Sequence, residues 1–518
     1  MKRILRNTFT VGGFTAVSRV LGLVREMLQS RLIGAGVEQS AFTLAFAIPN
    51  MARKLFGEGA LTAAFVPVFK GEVERGDVEE ARRLARMVMT TVIAVLGAAT
   101  ALAVLAVTAW MGFGAHSPRA ELTLRLVRIL LPYMVFICGA AFGMGVLNSL
   151  GRFAEGAFMP AMLNLVWIAA LGLLCFFPGL AITTRVAVVC WAILLGGLAQ
   201  MLFLMRCMAK RGYAFRFALP DFSNPRFRLV WKNTFIGAVG AGAIQINYML
   251  DQLLAQLASD WAAGVIGYAE RLMDLPLGVI GVAFGTVLLP TFAGLFAKGD
   301  IDGAREALSS SVVSLMFVML PAAAGLLVLA PEVTAVIYQG GAFDAVATVR
   351  VSRALAVYAV GLGFFGFQKT MVPWFQAQND MKTPLRVTVY TVVVNAVLNI
   401  LAVWLLPVEW RHVGLALSTV LCAAIGCALL VAIARRRNGS LGLRKAFGVL
   451  GAPGPLLKML VASILMGLAV AAAKPLVANG PAIAALAVLI ALGAVVYGVL
   501  SILFMRGQVR ELLRRRRR

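Results

Sequence analysis

Residues 10–31 read TVGGFTAVSRVLGLVREMLQSR, long enough to cross a bilayer as a helix yet charged along its length. At about 100° per residue, Thr15, Ser18, Arg19, Arg25, Glu26 and Gln29 share an arc of roughly 120° centred on Gly22. Val20, Leu21, Val24, Met27 and Leu28 cover the other side. A charge at the bilayer centre costs at least about 2.5–3.5 kcal/mol, so the stripe has to face a bundle interior or a watery cavity. Two arginines in it point to an anionic ligand.

The remainder of the chain extends this membrane reading. Its 518 residues are 61% hydrophobic with a mean hydropathy of +0.88, too apolar for a soluble protein. Apolar runs of about 20 residues predict many transmembrane helices, and the alternating pattern of a membrane barrel is missing. The first helix keeps its charges and lacks a small-residue cleavage site, so no removable signal peptide is expected. A net charge of +25 would suit nucleic acid, but the basic residues gather in alternate loops. Those loops are 2–6, 70–86, 206–232, 435–458 and 506–518, whereas 259–264 and 475–481 carry almost none. This positive-inside pattern predicts cytoplasmic termini, a leaflet-anchoring arginine tail and no nucleic-acid partner. The six cysteines lie in or beside apolar runs, and His116 and His412 fall near expected external loops. Neither a disulfide framework nor a histidine metal site is expected.

The expected fold is an all-α integral membrane protein of about fourteen transmembrane helices. A repeat organises it. Pro67, Phe69, Gly71, Gly76, Asp77, Ala81 and Arg82 recur at one constant offset as Pro290, Phe292, Gly294, Gly299, Asp300, Ala304 and Arg305. In each half the proline should end a long second span, ahead of a Gly-Asp turn and a short amphipathic helix capped by Asp77 or Asp300. Two six-helix lobes follow, at 1–232 (with a cytoplasmic linker) and 233–434, and the segment 435–518 adds two C-terminal helices and a basic tail.

Two apparent enzyme motifs fail. Asp300-Ile-Asp302 resembles a glycosyltransferase acidic pair, but its repeat partner Asp77-Val-Glu79 makes helix capping the better reading. Gly361 to Gly366 followed by Lys369-Thr370 has its lysine too late for a phosphate loop and sits in an apolar helix. Transport would then be driven by an ion gradient or the membrane potential. The intramembrane charges form a constellation instead: Arg19, Arg25 and Glu26; Asn50, Arg53, Lys54 and Glu58; and Glu270, Arg271 and Asp274. Pro49, Gly57, Gly59, Pro276 and Gly278 beside them predict broken or bent helices around a cavity. Internal salt bridging and snorkelling suffice for Lys54 and Arg31. Four arginines on three spans exceed what assembly needs, and guanidinium groups fork onto phosphate oxygens. Asp251, alone in the middle of the seventh span, either pairs with a cation or, with Asn379 or Asp380, holds a coupling Na⁺.

The stretches Ser18–Glu26, Pro49–Ala60, Ala64–Pro67, Tyr268–Pro276 and Lys382–Pro384 together resemble the MurJ/MviN family of lipid II flippases, within the multidrug/oligosaccharidyl-lipid/polysaccharide exporter superfamily. The resemblance covers nearly the whole chain. It implies two lobes around a cationic cavity, with a groove for a prenyl tail involving the last two spans. Its essential arginines fall on Arg19, Arg25, Arg53 and Arg271, and its acidic partners on Glu26, Glu58 and Glu270. Ser18, Gly22, Asn50, Lys54 and Asp274 lie in the same motifs as cavity or gating residues. One departure stands out: relatives carry an aspartate where this chain has Ser40, with Glu38 as the nearby acid.

The resulting reading is a monomeric inner-membrane flippase without a cofactor, acting on lipid II (undecaprenyl-pyrophosphate disaccharide-pentapeptide) among membrane lipids. The alternatives are a flippase for another polyprenyl-pyrophosphate glycan and a drug/cation antiporter of the same superfamily. An antiporter fits poorly, since a cationic substrate would favour an acidic cavity. A membrane-embedded glycosyltransferase would need an external catalytic loop longer than any here.

Overall fold

The computed structural model describes residues 2–57, 60–114, 116–443, 448–449 and 452–504. It is helical almost throughout. In chain order the helices are α1 (Lys2–Ile33), α2 (Val37–Ala52), α3 (Ala60–Arg75), α4 (Val78–Gly112), α5 (Pro118–Leu130), α6 (Tyr133–Ser149), α7 (Ala154–Cys175) and α8 (Ile182–Ala209). Then follow α9 (Pro225–Ala258), α10 (Ala262–Ala297), α11 (Ile301–Tyr338), α12 (Ala345–Gln376), α13 (Lys382–Leu405), α14 (Val408–Asn438), α15 (Pro455–Val477) and α16 (Ala482–Phe504). Among the described residues the only ladder pairs Gly448–Val449 with Ala452–Pro453. Among the described residues ten helical stretches are long and apolar enough to cross a membrane, with α5 and α6 making one of them. The expected spans outside that set are α1, α2–α3, α9 and α10, which carry the intramembrane charges.

The chain divides into two compact units, Met1–Gly264 with Gly340–Asp344, and Val265–Gln339 with Ala345–Arg518. In the first, α1 packs along α7, α6 against α8 and α4, and α9 against α3 and α2. Its core is aromatic: Phe42 and Phe46 meet the buried Trp167 edge-on, with centroids 5.8 and 5.9 Å apart. In the second, α11 packs on α12 and α15, and α14 on α12 and α13. The two C-terminal helices are fastened there by Tyr497 donating to the Phe317 carbonyl at 2.9 Å and by Lys474 pairing with Glu332 at 2.7 Å.

Between hydrocarbon-facing helices the hydrophobic effect gives little, so close packing at small residues has to hold them together. Gly197 on α8 shows this: a Cβ there would lie 2.5 Å from the Tyr133 ring on α6.

The second span breaks where the sequence suggests. Pro49 sits near the end of α2, Arg53–Gly57 forms one wide π-type turn, and α3 begins at Ala60. Such turns are frequent at functional sites. The repeat also has a common geometry. Gly76 (φ +80°) and Gly299 (φ +71°) turn the chain, after which Asp77 accepts from Glu80 N–H at 3.2 Å and Asp300 from Gly303 N–H at 2.8 Å.

Two expectations need correction. Pro67 and Pro290 do not end helices, for α3 continues to Arg75 and α10 to Ala297. A proline removes one hydrogen bond, which a packed membrane helix absorbs, and the left-handed glycine is what stops it. Nor is there a separate amphipathic helix after each turn: those residues are the first turns of α4 and α11.

Replacing Gly197 with Ala should cost about 1–3 kcal/mol through overpacking against Tyr133. Gly172, whose Cβ would meet nothing within 4 Å, is the silent control. Thermal unfolding in detergent should lower Tm for the first variant and leave it for the second.

Candidate anion-binding cavity

Within the first unit, α1, α2, the wide turn, α6, α7 and α8 line an open cavity of about 310 Å³. Arg25 and Arg53 both line it, with Gly22, Asn50, Asn164 and Gln200 as neighbours and Phe46, Tyr133, Ile137, Met159 and Leu163 among the wall residues. The helical period explains the first contribution: Gly22 and Arg25 are one turn apart on the polar stripe of α1. The break after Pro49 explains the second. Asn50 and Arg53 are likewise one turn apart, with Arg53 at the head of the wide turn.

Arg25 is held on three sides. Its Nη1 donates to Asn164 Oδ1 at 2.9 Å, its Nη2 pairs with Glu26, and its guanidinium lies over the Trp167 ring, 4.3 Å from the centroid. Asn164 in turn donates to the Ser18 carbonyl at 3.0 Å and hydroxyl at 3.4 Å, tying α7 to α1. Arg53 grips Asn50 Oδ1 through Nε at 3.2 Å and Nη2 at 3.1 Å. Two five-donor forks on an apolar-walled cavity make a receptor for a multi-oxygen anion. Glu26 is an internal counter-charge that such an anion would displace.

The other expected residues fall elsewhere. Arg19 is exposed on α1, and Lys54 lies over the Tyr248 ring of α9 at 5.0 Å. Glu58 lies outside the described residues. In the second unit, α10 carries a half-buried Glu270, which accepts from the Tyr358 hydroxyl at 3.4 Å, a half-buried Arg271 and an exposed Asp274. Asp251, on α9 in the first unit, accepts from Asn247 at 3.3 Å. Asn379 and Asp380 belong to the second unit.

Asn379 turns the chain at φ +58°, and Asp380 caps α13, accepting from Thr383 N–H at 2.9 Å and pairing with Arg437. Burial raises the Asp380 carboxyl, but the Thr383 and Arg437 contacts outweigh it and hold it at about 2. A depressed carboxylate stabilises above its ordinary range, and that contribution fades only as the pH falls toward 2.

Ser40 has a definite task. Fully buried, it accepts from Gly264 N–H at 3.0 Å through its hydroxyl and from Gln256 at 2.7 Å through its carbonyl. A neutral hydroxyl thereby satisfies one of the first N–H groups of α10, which helix geometry leaves unbonded.

Asn164, Trp167 and Gln200 escape the sequence reading. A lone amide in an otherwise apolar span was the available signal, since intramembrane amides are expensive unless used.

The family profile described as "Lipid II flippase MurJ" matches residues 29–507. A probable lipid II flippase MurJ of Rhizobium tropici is 34% identical over 441 residues, 84% of this chain and 81% of that protein. The lipid II flippase MurJ of Burkholderia cenocepacia is 31% identical, with 84% of each covered. Among solved structures, a lipid II flippase MurJ in an inward closed conformation superposes with a TM-score of 0.77 at 22% identity, covering 96% of this chain and 99% of that one. An inward-facing multidrug resistance MATE family transporter superposes with a TM-score of 0.68 at 17% identity, covering 82% and 95%.

Asn164→Ala should destabilise by about 1.5–3 kcal/mol, the worth of a hydrogen bond to a charged group. In a double-mutant cycle with Arg25→Ala, read from thermal unfolding, the two losses should be non-additive by at least about 1 kcal/mol. Additive losses would separate Asn164 from Arg25. By its matched length and by relatives above 30% identity, the chain belongs to the MurJ family of lipid II flippases.

Proposed function

We propose that this protein carries lipid II from the cytoplasmic to the periplasmic leaflet of the bacterial inner membrane by alternating access, as a monomer with both termini in the cytoplasm. The observation that carries the reading is the pairing of Arg25 and Arg53 on one cavity wall, suited to a pyrophosphate. Arg19 and Arg271 are assigned to the same substrate anion, and Glu26, Glu58 and Glu270 to its counter-charges. The prenyl tail stays in lipid. Family membership favours lipid II over other polyprenyl-pyrophosphate glycans, and the arginine lining disfavours a cationic drug.

The driving force is assigned to the membrane potential acting on these charges or to Na⁺ at Asp251. Asn379 or Asp380 is the proposed completing ligand, and of the two Asp380 already caps α13 and pairs with Arg437.

Arg25→Ala and Arg53→Ala should each fail to complement depletion while membrane levels stay normal. The loss of one charge-assisted fork corresponds to about 10- to 100-fold in substrate binding. Lysine at either position should rescue in part. The measurement is the fraction of lipid-linked precursor accessible from the periplasmic face, and a normal fraction in the double Ala variant would remove the pyrophosphate role.

A further inference from the structure

The turn between α9 and α10 is fastened by residues that belong to neither helix. α9 ends at Ala258, so the Gln256 carbonyl is one of the last four that helix geometry leaves without an intrahelical donor. Arg119, in the first turn of α5, supplies one. Its Nη2 donates to the Gln256 carbonyl, its Nε to Gln256 Oε1 at 2.8 Å and its Nη1 to Asp260 at 2.5 Å. A guanidinium placed there also meets the negative end of the helix dipole. Across the turn lies the N-terminus of α10, where the Ser40 hydroxyl of α2 takes the Gly264 N–H at 3.0 Å. Helix ends are ordinarily capped by residues beside them in the chain. These two caps come from 137 and 224 residues away, and every group named lies in the first unit.

The joint is close and polar. A Cβ on Gly264 would lie 3.1 Å from Gln39 Cγ and 3.3 Å from the Ser40 nitrogen, so the turn sits directly on the start of α2. Gln39, Ser40 and Gln256 are buried, whereas Arg119 and Asp260 form a rim with side chains 26% and 64% exposed. Water can serve each of these polar groups once the joint parts, so separation exchanges one set of hydrogen bonds for another.

Its place in the chain gives the joint a role. The sequence repeat starts a second lobe at residue 233, with α9 as its first helix, while Ser40 and Arg119 fall in the first. The 259–264 turn carries no lysine or arginine, the extracytoplasmic mark in the basic-loop pattern. A carrier that works by alternating access has to open that face, and the hold on α9 there must then be released. We infer that this joint is the extracytoplasmic lock of the carrier, with Arg119 as the residue that fastens it. The ionic part falls to Arg119 and Asp260, since Ser40 holds Gly264 with a neutral hydroxyl. The inference rests on the alternating-access reading above.

The test is hydrogen–deuterium exchange on the full-length protein in nanodiscs. Arg119→Gln should raise exchange of the amides in 36–43 and in 256–266 together, by about tenfold or more, the worth of hydrogen bonds from a charged donor. Arg119→Lys, which keeps the charge and loses the fork, should give a smaller rise in both and serves if the Gln variant does not fold. Asp260→Asn should change either stretch by less than about threefold, as an exposed pair does. Unchanged exchange in a folded Arg119 variant overturns the lock. A rise confined to 256–266 is fraying of one helix end and overturns it too, because only parting of the joint uncovers α2. Adding lipid II to wild type separates the two claims. If both stretches respond to it while the Arg119 variants stay silent, the lock fails alone. If wild type never responds, alternating access through this face fails and takes the lock with it.

Discussion

A guanidinium inside a membrane protein has to be surrounded before it can be used, and Arg25 shows what that requires. An acid on the next residue, an amide from α7 and the face of Trp167 hold it, and the amide is itself held by Ser18. Each partner lies on an element whose position follows from another constraint. Trp167 is locked by Phe42 and Phe46, α7 by its packing along α1, and Tyr133 by the missing side chain at Gly197. The cavity is thus a by-product of housing a charge. Its walls are where they are because the arginine would otherwise be intolerable.

The same reasoning applies to Arg25 and Arg53 together, which line one cavity. A pair of like charges facing one small cavity is unfavourable in the empty state unless each has its own local partner. Glu26 pairs with one, and Asn50 orients the other. Each guanidinium is thereby geometrically fixed before any ligand arrives, an arrangement that reduces the ordering cost at binding.

Much of this could be read from the chain. The stripe on α1 is visible because helical geometry alone sets which residues share a face, and the break after Pro49 because proline and glycine act locally. The Gly-Asp turns were legible for the same reason, twice over. What could not be read depended on partners distant in sequence. Asn164 and Gln200 are single amides in apolar runs, and only packing reveals that one steadies an arginine and the other ties α8 to α7 through the Met159 carbonyl. Pro67 and Pro290 misled because a local rule about helix breaking is overruled by a membrane environment in which ending a helix costs more than losing one bond. Asp380 looked like an ion ligand because the sequence does not display Arg437 beside it.

The two Gly-Asp turns have one backbone and different moorings. In the first, Arg226 reaches Glu72 at 2.8 Å and Glu80 at 3.5 Å, and Arg75 also meets Glu72. In the second, Arg305 is fastened to the Asn438 carbonyl at 2.6 Å and pairs with the exposed Asp302 at 2.7 Å. A buried carboxylate that collects two guanidinium groups is screened little by salt. The halves of a duplicated chain have thereby become unequal in their anchors: the first turn is tied to the start of α9 through the buried Glu72 carboxylate, and the second to the end of α14 through a peptide carbonyl.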